Sequence, residues 1–277
     1  MVSRLRLGAL ATVLCLLSYW AFAMPAPRWR NSMPPPPLPR ADESGYAAVN
    51  GIHMFYEIFG KGRGDPILLI HGGMGSSDAW GFEVPELAKT HEVIIADSRG
   101  HGRSTRLRMT YTYDLMAEDY VALLDRLGID KVALVGFSDG GIIGLDMAIH
   151  HPERLSKLFA QAANASPDGL FEVSSSVNGH DFTRDLDDED DFRAFRAAIE
   201  TMWRNEPNFS EDELKSITVP TEIVVGDHDE FIRPEHSRYL AETIPGAKLV
   251  ILKNVSHLAL AQDPAQYLHA IRKFIGS

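Results

Sequence analysis

Gly136-Phe137-Ser138-Asp139-Gly140 sets a serine between two glycines, after the apolar run Val132-Ala133-Leu134-Val135 and before a helical stretch. A serine held at left-handed φ on such a strand-to-helix turn points its hydroxyl out of the turn. Residues two positions to either side must be small, or their Cβ atoms collide with the turn. The spacing makes Ser138 a candidate nucleophile for acyl transfer. Shifting the frame so that Asp139 attacks would put Phe137 in a small-residue slot, which argues against aspartate-nucleophile chemistry. A plain glycine-rich turn without chemistry is the alternative.

A serine nucleophile needs a base, and the base needs an orienting acid. His257, in Asn254-Val255-Ser256-His257, is the one histidine between the apolar run Leu249-Val250-Ile251-Leu252 and the closing helical stretch. His101 is its best rival among the eleven histidines. Gly226-Asp227-His228-Asp229 follows Glu222-Ile223-Val224-Val225 and offers two carboxylates. Asp229 has the favoured offset from the strand, and Asp227 is the alternative. His71-Gly72-Gly73-Met74-Gly75 follows Pro66-Ile67-Leu68-Leu69-Ile70. There the backbone N–H of Gly73 or of Met74 would pair with that of Asp139 to hold a developing oxyanion, at a helix start that favours negative charge. No Gly-Lys-Ser/Thr follows, so this is not a phosphate loop.

The elements that must position these groups alternate. Asn50-Gly51 between alternating runs marks a hairpin of two antiparallel strands. Six short apolar runs follow, from Pro66 to Leu252, including Val93-Ile94-Ile95-Ala96 and Leu155-Ser156-Lys157-Leu158-Phe159. Helical stretches lie between them at residues 83–88, 113–127, 140–150, 235–243 and 264–275. The expected class is α/β, a mostly parallel sheet flanked by helices. Residues 164–218 break the rhythm with no clear buried strand, and are read as a small helical cap inserted after the sixth strand. Phe182, Phe195 and Trp203, within its apolar content, are expected to line a substrate pocket. The acidic run at residues 185–191 is expected at a solvated rim or helix start, with a cation site as the alternative. A lid with a private aromatic core is the competing role for the whole insertion.

The N-terminus carries an address. Arg4 and Arg6 precede an apolar stretch at residues 7–23 that ends in Ala21-Phe22-Ala23, the order of a secretory signal peptide. An uncleaved membrane anchor is the alternative. Residues 24–43 are proline-rich and read as an extended linker, and residues 44–277 as the folded domain. Cys15 is the single cysteine, so a cleaved chain has no disulfide. The net charge of −11, with no basic block, argues against a nucleic-acid partner and against anionic membranes apart from the N-terminal segment.

From about Tyr46 to the C-terminus the chain resembles the α/β-hydrolase fold superfamily. The resemblance rests on His71-Gly72-Gly73, on Asp97-Ser98-Arg99-Gly100-His101-Gly102, on Gly136-x-Ser138-x-Gly140, and on Asp229 with His257, in that order. It implies an eight-stranded sheet, a Ser138–Asp229–His257 triad, and a hydrolase that uses no metal or cofactor. Proline iminopeptidases have proline where this chain has Met74, and usually tryptophan where it has Asp139. Carbon–carbon bond hydrolases of the superfamily have a different glycine loop. The expected activity is therefore that of a carboxylesterase or lactonase on a small ester-like substrate. A cofactor-free perhydrolase or haloperoxidase, a C–C bond hydrolase, and a non-catalytic binding protein are the alternatives.

Overall fold

Asn50 and Gly51 take φ of 39° and 81°, which closes the two-residue hairpin between β1 (Glu43–Val49) and β2 (Ile52–Phe59). The computed structural model describes residues 27–171 and 189–276. Within them, β3 (Ile67–Ile70), β4 (Val93–Ala96), β5 (Val132–Phe137), β6 (Leu155–Gln161), β7 (Thr221–Gly226) and β8 (Lys248–Leu252) complete an eight-stranded sheet. Its order is β1-β2-β4-β3-β5-β6-β7-β8. β1, β2 and β4 pair antiparallel, and every pairing from β4 to β8 is parallel.

Every residue of β3, β4, β5 and β7 is buried, as apolar strands covered on both faces must be. The covering helices are α1 (Val84–Leu87), α2 (Tyr113–Leu127), α3 (Asp139–His150), α4 (Glu189–Asn205), α5 (Glu211–Ser216), α6 (Pro234–Thr243), α7 (Ala259–Gln262) and α8 (Pro264–Ile275). Two hydrophobic cores result, one per face. One joins α2, α3 and α4 to Leu68, Ile70 and Leu134; the other joins Trp80, Leu69, Val135 and the C-terminal Tyr267 and Ile271. α2 has the expected bounds because its ends are signalled locally. Thr112 Oγ1 accepts from Leu115 N at 3.1 Å, and Gly128 at φ 69° stops the helix.

The chain leaves β3 for β4 on one side and takes up β5 on the other. The C-terminal ends of β3 and β5 therefore flank the crevice where open α/β sheets hold their ligands. In the insertion, α4 runs longer than residues 192–203, and Glu189, Asp190 and Asp191 open it, where acidic groups favour the helix dipole. The short α5 was not anticipated, although Ser210 and Glu213 form its capping box. Residues 185–188 of the acidic run, Phe182, and the segment at residues 1–23 lie outside the described residues. The proline-rich stretch does not act as a free spacer from Pro27 onward. Met33 N donates to Ala261 O at 2.9 Å, Trp29 O accepts from Gln262 Nε2 at 3.0 Å, and Leu38 and Ala41 pack on the core. The stretch opens with a 3-10 turn at Arg28–Arg30, in which Arg30 N donates to Pro27 O at 2.9 Å, and the residues after it lie along the domain surface.

Candidate active site

The β3–β5 register sets Ile70 opposite Gly136, so the loop after β3 lies beside the turn after β5. In that turn Ser138 has φ 54° and ψ −117°. The small-residue requirement is literal here. A Cβ on Gly136 would sit 2.2 Å from Gly140 O, and one on Gly140 would sit 2.1 Å from Ile70 O. Ser138 N donates to Gln161 O at 2.8 Å, and Ser138 O accepts from Gly141 N at 2.8 Å, which fixes the strained residue from both sides.

His257 Nε2 lies 3.0 Å from Ser138 Oγ, and His257 Nδ1 lies 3.1 Å from both oxygens of Asp229. Asp229 Oδ1 also accepts from Phe231 N at 2.9 Å and Ile232 N at 2.8 Å, which orients the carboxylate. The loops after β7 and β8 can approach because Gly226 has no side chain; a Cβ there would meet Ser256 O at 2.5 Å. His257 is further held by Glu230, which accepts from its N–H at 3.1 Å, and by Gln161 Nε2, which donates to its carbonyl at 3.1 Å. The rings of Phe231 and Phe137 flank it at 4.6 and 5.1 Å between centroids. Burial pulls its pKa down, but the charge of Asp229, their hydrogen bond, and the charges of Glu230 and Asp139 outweigh this and leave it above the ordinary histidine value.

The rivals stand elsewhere. The Asp227 carboxylate faces Lys253 Nζ at 3.8 Å and His228 Nε2 at 3.9 Å. His101 Nδ1 donates to Arg99 O at 2.9 Å, and its buried Nε2 meets no hydrogen-bond partner among the described residues. Burial, reinforced by His71, pushes His101 down to about 3. The loop around it is scaffold: Asp97 accepts from Ser77 N, Ser77 Oγ and Arg103 N at 2.8, 2.7 and 2.7 Å.

Met74 is bent to φ 58°, an uncommon conformation for a side-chain-bearing residue, in a turn closed by Gly75 N donating to Gly72 O at 3.1 Å. The N–H groups of Gly73, Met74 and Asp139 donate to no acceptor among the described residues. The Asp139 side chain turns under the cap. Its Oδ1 accepts from Tyr113 OH at 2.9 Å, and both oxygens lie 3.0 Å from Trp203 Nε1. A Cβ on Gly73 would meet Asp139 Oδ2 at 2.3 Å and Trp203 Cζ2 at 2.6 Å, so this glycine makes room for the carboxylate and the indole. Burial pushes Asp139 up to about 6, against the hydrogen bonds from Trp203 and Tyr113.

Of the residues expected to line a pocket, Trp203 reaches this site. Phe195 does not: its ring is 3% exposed and packs between His101, Tyr111 and the Arg106 guanidinium. The buried face of α4, with Ile199 and Met202, pulls it into the core. Tyr113, Gln161, Glu230 and Phe231 were not singled out in the sequence. Phe231 and Glu230 carried a signal in their closeness to Asp229. Tyr113 and Gln161 read as ordinary helix and strand residues.

Comparison with known proteins agrees with this architecture. The family model for the α/β hydrolase fold matches residues 65–202. A putative carbamate hydrolase, RutD, of Pseudomonas savastanoi pv. phaseolicola is 27% identical over 260 residues, 81% of this chain and 99% of the relative. A 2-hydroxymuconate semialdehyde hydrolase of Pseudomonas sp. (strain CF600) is 27% identical over 249 residues, 78% of this chain and 88% of the relative. The solved structure of Est816, described as an N-acyl homoserine lactone degrading enzyme, is 26% identical with a TM-score of 0.68, covering 83% of this chain and all of its own. With the sheet order, the strand-to-helix turn and the full-length relatives in agreement, the chain belongs to the α/β-hydrolase fold superfamily and is a hydrolase.

Proposed function

We propose that the chain is a serine hydrolase that cleaves a carboxylic ester or lactone through an acyl-enzyme. The observation that carries this is the unbroken line Ser138 Oγ–His257–Asp229, with contacts of 3.0 and 3.1 Å, starting from a serine at φ 54°. His257 Nε2 takes the Ser138 proton as Oγ attacks the acyl carbon. Nδ1–H stays on Asp229, which fixes the tautomer and balances the imidazolium. The N–H of Asp139, with that of Gly73 or Met74, receives the oxyanion. His257 returns the proton to the departing alcohol oxygen and then takes one from the water that releases the acyl group. In a lactone the alcohol remains tethered to the acid product. The name of Est816 supports the lactone arm.

A second reading is favoured by the likeness to 2-hydroxymuconate semialdehyde hydrolase. On that reading the same three residues would hydrolyse a C–C bond next to a carbonyl. The order of the N-terminal segment further supports export, with cleavage after Ala23; fractionation of host cells, with N-terminal sequencing, tests it. The activity is tested with a fluorophosphonate probe and a panel of activated esters, lactones and a vinylogous diketo acid. Labelling of the wild type but not of Ser138→Ala, with turnover down by about three to six orders of magnitude, is expected. Near wild-type ester turnover by folded Ser138→Ala refutes the mechanism, and preference for the diketo acid transfers the activity to the second reading.

A further inference from the structure

α2 and α3 carry a second group of chemistry-bearing side chains, outside the site just described. Asp146 and His150 stand one turn apart on α3, and Asp114 lies in the first turn of α2. Each offers one ligand atom, and the three atoms lie within 4.8 Å of one another. Asp114 and His150 are exposed, as surface charges usually are. Asp146 is different. It is 4% exposed, yet its carboxylate makes no hydrogen bond to any described residue. Buried carboxylates are normally paired, hydrogen-bonded or bound to a metal. The charged groups facing Asp146 are His150 and His151 at the end of its own helix and Asp114 and Glu118 on α2. His151 Nε2 is already engaged by Glu118 Oε1 at 2.6 Å, which leaves Asp114 and His150 to complete the shell of Asp146.

We propose that Asp114, Asp146 and His150 bind a divalent first-row transition cation. One imidazole nitrogen with two carboxylate oxygens suits zinc and its neighbours, whereas calcium takes six to eight oxygens. Metal–ligand bonds of about 2.0–2.2 Å bring tetrahedral donor atoms to about 3.4 Å from one another. The three atoms reach that by closing roughly an ångström, which two exposed side chains accomplish by rotation. Water fills the remaining position. The carbonyls ending α3 add negative potential at the His150 end. At about 1.5 Å of helix rise per residue, Asp146 and His150 lie roughly 10–17 Å along α3 from the turn that holds Ser138. The ion therefore ties the start of α2 to the end of α3 and takes no part in acyl transfer.

The test is titration of ZnCl2 into the EDTA-stripped full chain at pH 7.5, read by calorimetry and by thermal unfolding. Asp146→Asn and His150→Ala are measured alongside. The wild type is expected to bind one ion per chain saturably, and at a hundredfold excess over Kd its Tm rises by about 5 °C. Each variant loses at least tenfold in affinity and loses the Tm rise. His150→Ala changes an exposed residue, so it reports binding even if the buried substitution perturbs folding. Absence of saturable binding by the wild type, or affinity within twofold of wild type in both variants, overturns the site.

Discussion

Replacing Trp203 with phenylalanine keeps an aromatic ring over Gly73 and removes one N–H. That N–H lies 3.0 Å from each oxygen of Asp139, and among the described residues the only other side-chain donor to this carboxyl is Tyr113 OH at 2.9 Å. A hydrogen bond to a charged group is worth about 1.5–3 kcal/mol, and one between neutral groups about 1 kcal/mol. The substitution thus penalises ionised Asp139 more than its acid form by about 0.5–2 kcal/mol. At 1.36 kcal/mol per pKa unit, the carboxyl moves up by roughly 0.5–1.5 units from its starting point. That starting point is about 6, raised by burial from 3.8. A carboxyl whose folded pKa exceeds its unfolded one favours the folded state less as pH rises from the unfolded value to the folded value. Raising the folded pKa further prolongs this loss. Trp203→Phe should therefore show a fixed packing penalty at pH 5 and an additional loss of about 0.5–2 kcal/mol at pH 8. Urea unfolding of both proteins at the two pH values measures it, because other titrating groups cancel in the difference. A penalty of equal size at pH 5 and pH 8 refutes the ionised clasp between cap and core.

Three further outcomes follow from the same geometry. Asp229→Asn should lower kcat by about 10³–10⁴-fold, whereas Asp227→Asn, beside Lys253 and His228 at the surface, should leave it near wild type; steady-state kinetics on one activated ester decide, and the reverse ranking means the acid is Asp227. The proposed base works unprotonated, so kcat/KM should fall as pH drops through the raised pKa of His257. Asp139→Asn removes one of the charges that raise it, and should move this acid limb to lower pH in a rate profile; a limb that stays put separates Asp139 from the base. Glu83 is fully buried with both oxygens unpartnered among the described residues, and burial pushes it from 4.5 up to about 8. Its folded state therefore loses stability between pH 4.5 and 8, by about 4–5 kcal/mol in all. Glu83→Gln should flatten that slope in urea unfolding and be the more stable protein at pH 8, and an unchanged slope would mean Glu83 stays ionised.

Features enforced by local sterics were legible in the sequence. Gly136 and Gly140 announce the turn at Ser138 because a Cβ on either would collide with backbone, that of Gly140 four residues on or that of Ile70 on the adjoining strand. The helical spacing over residues 113–127 marks α2, whose ends Thr112 and Gly128 close in the structure. The side-chain destinations on α4 were not legible, because they depend on where the whole helix lands. Phe195 and Trp203 are both aromatic and eight residues apart, yet one meets His101 and Tyr111 in the core and the other reaches Asp139. Composition marked residues 24–43 as extended but carried nothing about Gly81, where a Cβ would lie 2.0 Å from Pro36 O. The cluster of Asp114, Asp146 and His150 exists only once α2 and α3 pack together.

Ser138 and Asp139 are neighbours under opposite demands, and this bears on what the cap can control. The turn drives the Ser138 hydroxyl outward to His257. One residue later the helix begins, and the Asp139 side chain folds back between Tyr113 and Trp203. On the proposed mechanism the N–H of this same residue receives the oxyanion, where a donor displaced by a few tenths of an ångström stabilises the transition state less. A cap that merely covered a pocket would change KM and acyl preference when altered. A cap whose indole grips the residue next to the nucleophile should change kcat as well. The ratio of the two effects in Trp203→Phe, measured on one substrate, therefore distinguishes a selector from a clamp.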